Sequence, residues 1–154
     1  MLFEPKHVER LAKLEEELRC ATEVTSVLIS NVITIACVRV GALGSAMKVK
    51  VRWLIEAGAW TDATIALLGL ELPQWKVRRL INEDGKWLCS LSKQPGIPLE
   101  YDEVAEASHI ILPLAILIAL LQAQRSAAVS ANGIATVPPF RRVRGNTACC
   151  DNFA

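Results

Sequence analysis

Asn82-Glu83-Asp84-Gly85, set between two strand-like runs, limits the folding of this chain more than any other stretch. The runs around Trp75 to Ile81 and Lys86 to Ser92 alternate in character, and Gly85 supplies the left-handed conformation that a tight turn needs. They predict a β-hairpin over 75–92. Two loops compete. A two-residue Asp84-Gly85 loop pairs Asn82 with Trp87 and Ile81 with Leu88, leaving large apolar groups on both faces. A three-residue loop starting from Asn82 makes a type I turn with a bulge at Gly85 and sets Ile81 against Trp87. The second register is preferred on burial. It places Trp75, Val77 and Ile81 with Trp87, Cys89 and Leu91 on a dry face, and Lys76, Arg78, Asn82, Lys86, Ser90 and Ser92 on a wet one. Three residues fit it badly: Leu80 and Leu88 fall on the wet face, and Arg79 falls on the dry one opposite Cys89. An isolated ribbon is marginal in water, so helices, further strands or a second chain must cover its apolar side.

The flanking segments supply candidates for that cover. Residues 5–20 read as a charged amphipathic helix, with Pro5 at its start and a stripe of Val8, Leu11, Leu14 and Leu18. Residues 24–40 are crowded with β-branched side chains and are expected as strands, with Ser30-Asn31 as a turn or bulge. Their competing reading is a membrane span, although the charge-free gap between Glu23 and Arg39 is shorter than the roughly 20 residues a crossing helix needs. Lys48 to Trp53 alternates with period two and suggests a short strand, while 50–57 reads equally as a helical turn ended by Gly58. Thr61 is the expected N-cap of a helix to about Leu70, with Trp60 and Ile65 as a hydrophobic staple. That helix has almost no polar face, so it belongs in a core or an interface. After a loop at 94–98, Asp102 is expected to cap a second helix over 103–125, kinked or split at Pro113. From Ser126 the pattern dissolves into a low-order tail.

Composition bounds the rest. With 154 residues the chain has the length of one ordinary domain, and 17 basic against 16 acidic side chains create no strong global field. The 52% hydrophobic content is high for a soluble monomer, which points to buried surface in an oligomer or a bilayer. Five cysteines without a Cys-x-x-Cys pair, and an opening without an export signal, fit reduced thiols in a cytoplasm, with the inner membrane as the alternative. The vicinal Cys149-Cys150 reads as incidental.

Four stretches carry a resemblance: Arg52 to Ala63, Leu70 to Leu80, Glu83 to Ser92, and His109 to Leu117. In them the chain resembles a family of small uncharacterised proteins of rhizobial-type bacteria. The likeness covers about residues 52–125 and implies a compact helix, hairpin, helix core. It implies no activity, cofactor or catalytic residue.

Few constellations carry chemistry. Glu106 and His109 make a Glu-x-x-His pair at helical spacing, with Asp102 one turn earlier, and are the metal candidates. Carboxylate-bridged sites need two such pairs, and the chain's other histidine is His7, so no cofactor or metal is expected. No nucleophile stands beside His109 in sequence, so no catalytic residue is assigned. Lys76, Arg78 and Lys86 form the candidate interaction surface on the hairpin, with Arg52, Arg141, Arg142 and Arg144 as further phosphate-binding candidates. Gly41 and Gly44 lack the third glycine and later acid of a dinucleotide site.

The expected architecture is therefore α+β: an N-terminal helix and β-branched segment over 1–50, a helix, hairpin, helix core over 51–125, and a tail over 126–154. The expected function is non-catalytic protein interaction or regulation, with self-association through the hairpin and the helix at 61–70. An inner-membrane protein with one or two spans, at 24–46 or 107–124, is the alternative. Nucleic-acid binding through the basic hairpin face ranks below both.

Overall fold

The computed structural model describes residues 5–42 and 44–132, with side chains described to Val129. The fold is α+β. A three-stranded antiparallel meander in the order β1-β2-β3 comprises Lys76–Glu83, Lys86–Ser92 and Val104–His109. Six α-helices accompany it among the described residues: α1 Pro5–Cys20, α2 Ser26–Ala36, α3 Val38–Ala42, α4 Ser45–Glu56, α5 Trp60–Glu71 and α6 Leu112–Asn132. The central element is α6, which lies along β3 and β2 and also packs against α1 and α5. Every residue from Leu114 to Leu121 is fully buried. One apolar cluster runs from Leu11 and Ile29 through Leu67 and Leu91 to Ala123.

The hairpin forms where expected, with a different distribution of its extra residue. The turn is the two-residue Asp84-Gly85 loop, both residues having positive φ, and Glu83 pairs with Lys86, Asn82 with Trp87, and Ile81 with Leu88. The preferred three-residue loop is thus corrected. The bulge lies within β1 at Arg78, because Val77 faces Leu91 while Arg79 faces Ser90. Since side chains alternate with period two, one inserted residue exchanges the two faces beyond it. Leu80 therefore turns toward the core opposite Cys89, and Arg79 turns outward opposite Ser90. Those two misfits disappear. Beyond the bulge Val77 shares the side of the buried Leu91, although it is itself exposed, and Trp75 is buried in the same core against which Trp87 packs. The cost is Ile81, which joins Leu88 on the outer face, both half-buried.

Residues 26–36 and 38–42 are helical, correcting the strands expected over 24–40. Thr25 caps α2 by accepting the Leu28 N–H at 3.2 Å, and the buried Leu28, Ile29, Val32 and Ala36 form one helical stripe. Burial of that stripe against α1 outweighs a β propensity spanning only about 1 kcal/mol. The expected strand at Lys48 to Trp53 is likewise part of α4. Its end follows the helical alternative: Gly58 has φ +69°, its N–H reaches Ile55 O, and Ala59 N–H reaches Leu54 O. Thr61, expected as the cap, lies inside the next helix. Instead α5 begins at Trp60 after Ala59, without a side-chain cap, and Ile65 is exposed rather than stapled.

The helix expected over 103–111 is strand β3. Ala105, Ala107 and His109 point inward, and Val104, Glu106 and Ser108 alternate with them. Pairing with β2 satisfies the backbone, which overrides the helix propensity of Ala and Glu. Pro113 stands in the first turn of α6, where a missing N–H breaks no helical hydrogen bond. Helix α6 continues through Ser126 to Asn132, so the pattern does not dissolve where expected; residues 133–154 lie outside the described residues.

Candidate functional site

The residues singled out from the sequence do not form one cluster. Glu106 and His109 lie on opposite sides of β3, because a spacing of three in a strand reverses the face. Glu106 is exposed opposite Ser90, whereas His109 is buried opposite Trp87 and its Nδ1 accepts the Ile111 N–H at 3.0 Å. The helical metal pair is thereby corrected. Among the described residues no group of three or more His, Cys, Asp or Glu side chains converges as a metal site.

Asp102, expected as a helix cap, anchors the bulge. Its carboxylate accepts Arg78 Nη1 at 2.9 Å, the Gln94 N–H at 3.0 Å and the Ser92 hydroxyl, while Arg78 Nη2 donates to Ile97 O at 3.2 Å. Arg78 is therefore tied to the loop after β2. Of the proposed basic surface, Lys76 and Lys86 remain exposed. Arg52 is exposed on α4, and Arg141, Arg142 and Arg144 lie outside the described residues.

Two further carboxylates are buried where no sequence pattern pointed. Glu15 on α1 accepts from Arg19 at 2.8 Å, Arg125 at 2.7 Å and Gln122 at 3.3 Å, joining α1 to α6. Glu71 at the end of α5 accepts the Val40 N–H at 3.1 Å and Gln124 Nε2 at 3.4 Å, and Gln124 also donates to Ala36 O at 2.7 Å. These contacts span up to 110 residues of sequence, which explains why local patterns miss them.

Acid should weaken this arrangement in a defined direction. Desolvation raises the pKa of Glu15, but hydrogen bonds from Arg19, Gln122 and Arg125 and the Arg125 charge prevail, holding it below the usual carboxylate range. For Asp102 desolvation is likewise outweighed, by hydrogen bonds from Ser92, Gln94 and Arg78, and its carboxyl is also held low. A depressed carboxylate contributes stability that is present above its unfolded pKa and lost as pH falls through its folded pKa. Thermal unfolding followed by circular dichroism should show a Tm flat near neutrality and falling below about pH 4.5, with a shallower fall in Glu15→Gln. An unchanged acid limb in that variant would contradict the assignment.

The buried thiols are chemically quiet. Desolvation, with the Glu71 charge second, pushes Cys37 up to about 12, and burial pushes Cys89 up to about 11. A thiol held protonated is a poor nucleophile. Alkylation of the native protein near pH 8, read by peptide mass spectrometry, should modify exposed Cys20 and spare Cys37 and Cys89 until denaturant is added. Cys149 and Cys150 lie outside the described residues.

Four of the large apolar side chains left in water among the described residues lie on α3 and α4. Val38 is 61% exposed, Met47 46%, Val49 63% and Trp53 64%, while Val51 is the one buried residue of α4. Covering such side chains would contribute about 1.5–3 kcal/mol each. A hollow of about 530 Å³ opens elsewhere, between the α4–α5 turn and the start of α6, with Glu23 and Asp62 among its lining residues. Two carboxylates there oppose an anion at the neighbouring helix N-termini.

Comparison with protein-family models, curated proteins and solved structures gave no match.

Proposed function

We propose that the protein acts without catalysis, through protein interaction or regulation, and pairs with a second copy of itself along β1. The carrying observation is the outer edge of β1, which has no partner strand among the described residues in the order β1-β2-β3. Between the bulge and the turn, Arg79, Ile81 and Glu83 share the outer face. A twofold axis at Ile81 sets the Arg79 of each copy opposite the Glu83 of the other and brings the two Ile81-Leu88 pairs together. The apolar α5, expected at this interface, packs instead on α3, α4 and α6, so the contact rests on the sheet.

Gel filtration coupled to light scattering tests this reading. The expected mass is twice the 16.8 kDa of the chain, and Ile81→Lys, with an unchanged circular dichroism spectrum, should weaken the dimer more than about tenfold by opposing two lysines. A wild-type mass of 16.8 kDa at every concentration would remove it.

A membrane-spanning reading has one specific support. Leu112–Val129 is long and apolar enough to cross a bilayer, with mean hydropathy 1.5. Its window is 61% buried inside the protein, as in a core helix. Retention in the membrane pellet after an alkaline wash would favour the span over the soluble dimer. The nucleic-acid reading has lost Arg78 to Asp102 and draws its support from Lys76 and Lys86 alone on the hairpin.

A further inference from the structure

We propose that α3 and α4 form a peripheral docking element for an anionic lipid bilayer, lying on the membrane without crossing it. Helix α4 ends in the exposed Glu56, one turn beyond Trp53, but the stretch from there back to Glu23 contains no acidic residue and four basic ones, Arg39, Lys48, Lys50 and Arg52, in a chain whose total charge is almost balanced. All four are exposed. On α4 the exposed Val49 and Trp53 are one helical turn apart and form a ridge, with Arg52 and Lys48 on one flank and Lys50 on the other. The buried Val51 lies on the opposite side of the helix, so the ridge faces away from the core.

Charge decides among occupants. A second copy seated face to face on this element would oppose eight basic residues with only the two Glu56 carboxylates to offset them, as four bases and one acid come from each chain. Phosphates of a nucleic acid would engage the basic residues but give Val49 nothing apolar to enter. An anionic bilayer meets both needs: headgroups pair with Lys and Arg, and Trp and aliphatic side chains enter the boundary of the acyl region. Each basic residue near such a surface strengthens binding about fivefold. This contact is separate from the β1 edge and stands or falls independently of the dimer.

The test is co-sedimentation of the full chain with vesicles of phosphatidylglycerol or phosphatidylcholine, together with tryptophan fluorescence. Binding to phosphatidylglycerol is expected at low salt, with a blue shift that is lost in Trp53→Phe while that variant still sediments. Lys48→Glu with Lys50→Glu should reduce binding more than about tenfold. Val49→Ser with Trp53→Ser should reduce it several-fold while leaving the circular dichroism spectrum unchanged. No sedimentation of the wild type with phosphatidylglycerol, or equal binding to both lipids, would overturn the proposal. So would α4 variants that change the molecular mass or DNA retention but leave vesicle binding intact.

Discussion

Leu117→Ala is expected to destabilise the protein by about 2–5 kcal/mol and to lower Tm by roughly 5–15 °C. Leu117 is fully buried in the middle of the inaccessible 114–121 run of α6, with Ile116, Ile118 and Leu120 equally inaccessible. Truncation there loses the transfer energy of the removed atoms and leaves a cavity whose walls are held by strands on one side and helices on the others. Leu117→Asp should abolish cooperative unfolding, because no Lys or Arg is buried among the described residues to pair with the new carboxylate. Ile110→Ala, at an exposed position, should change stability by less than about 0.5 kcal/mol. Thermal and urea unfolding of the purified variants measure all three. A Leu117→Ala loss below about 1 kcal/mol would mean that α6 is not the core helix described.

The second large effect is Trp75→Ala, expected to cost about 3–5 kcal/mol, against less than about 1 kcal/mol for Trp53→Ala. Trp75 is buried, and Lys93 Nζ stands 5.2 Å from its ring centroid. Trp53 is mostly exposed. The difference depends on the Arg78 bulge, since an uninterrupted ladder from the Asp84-Gly85 turn would set Leu91 against Arg78 and turn Trp75 outward. Urea unfolding should show the shift in midpoint with little change in slope. Equal costs for the two tryptophans would refute the bulged register.

Elements whose local signals agree are legible from residue order. Residues 5–20 carry a helical stripe, of which Leu11, Leu14 and Leu18 are buried while Val8, in the first turn, stays exposed. The hairpin is legible from its turn, and even its misfits are informative: Leu80 and Arg79, awkward in the expected register, mark the side of β1 on which the extra residue had to lie. Candidate sites fare differently. Arg78 and Asp102 each stand out in the sequence for roles they do not fill, because their meeting depends on the path of the 93–102 connection. Glu15 and Glu71 give no local sign of being buried anchors, since their partners come from distant helices.

Residue order thus carried the α+β class, the N-terminal helix, a chain reversal within Asn82 to Gly85 and the apolar character of α5 and α6. Those properties follow from turn chemistry and side-chain periodicity within a few residues. Long-range packing settled that the β-branched 26–36 segment is helical, that 104–109 is a strand, and where β1 bulges. Local preferences there amount to a few tenths of a kcal/mol per residue, whereas burying a stripe against α1 or completing a ladder with β2 is worth several.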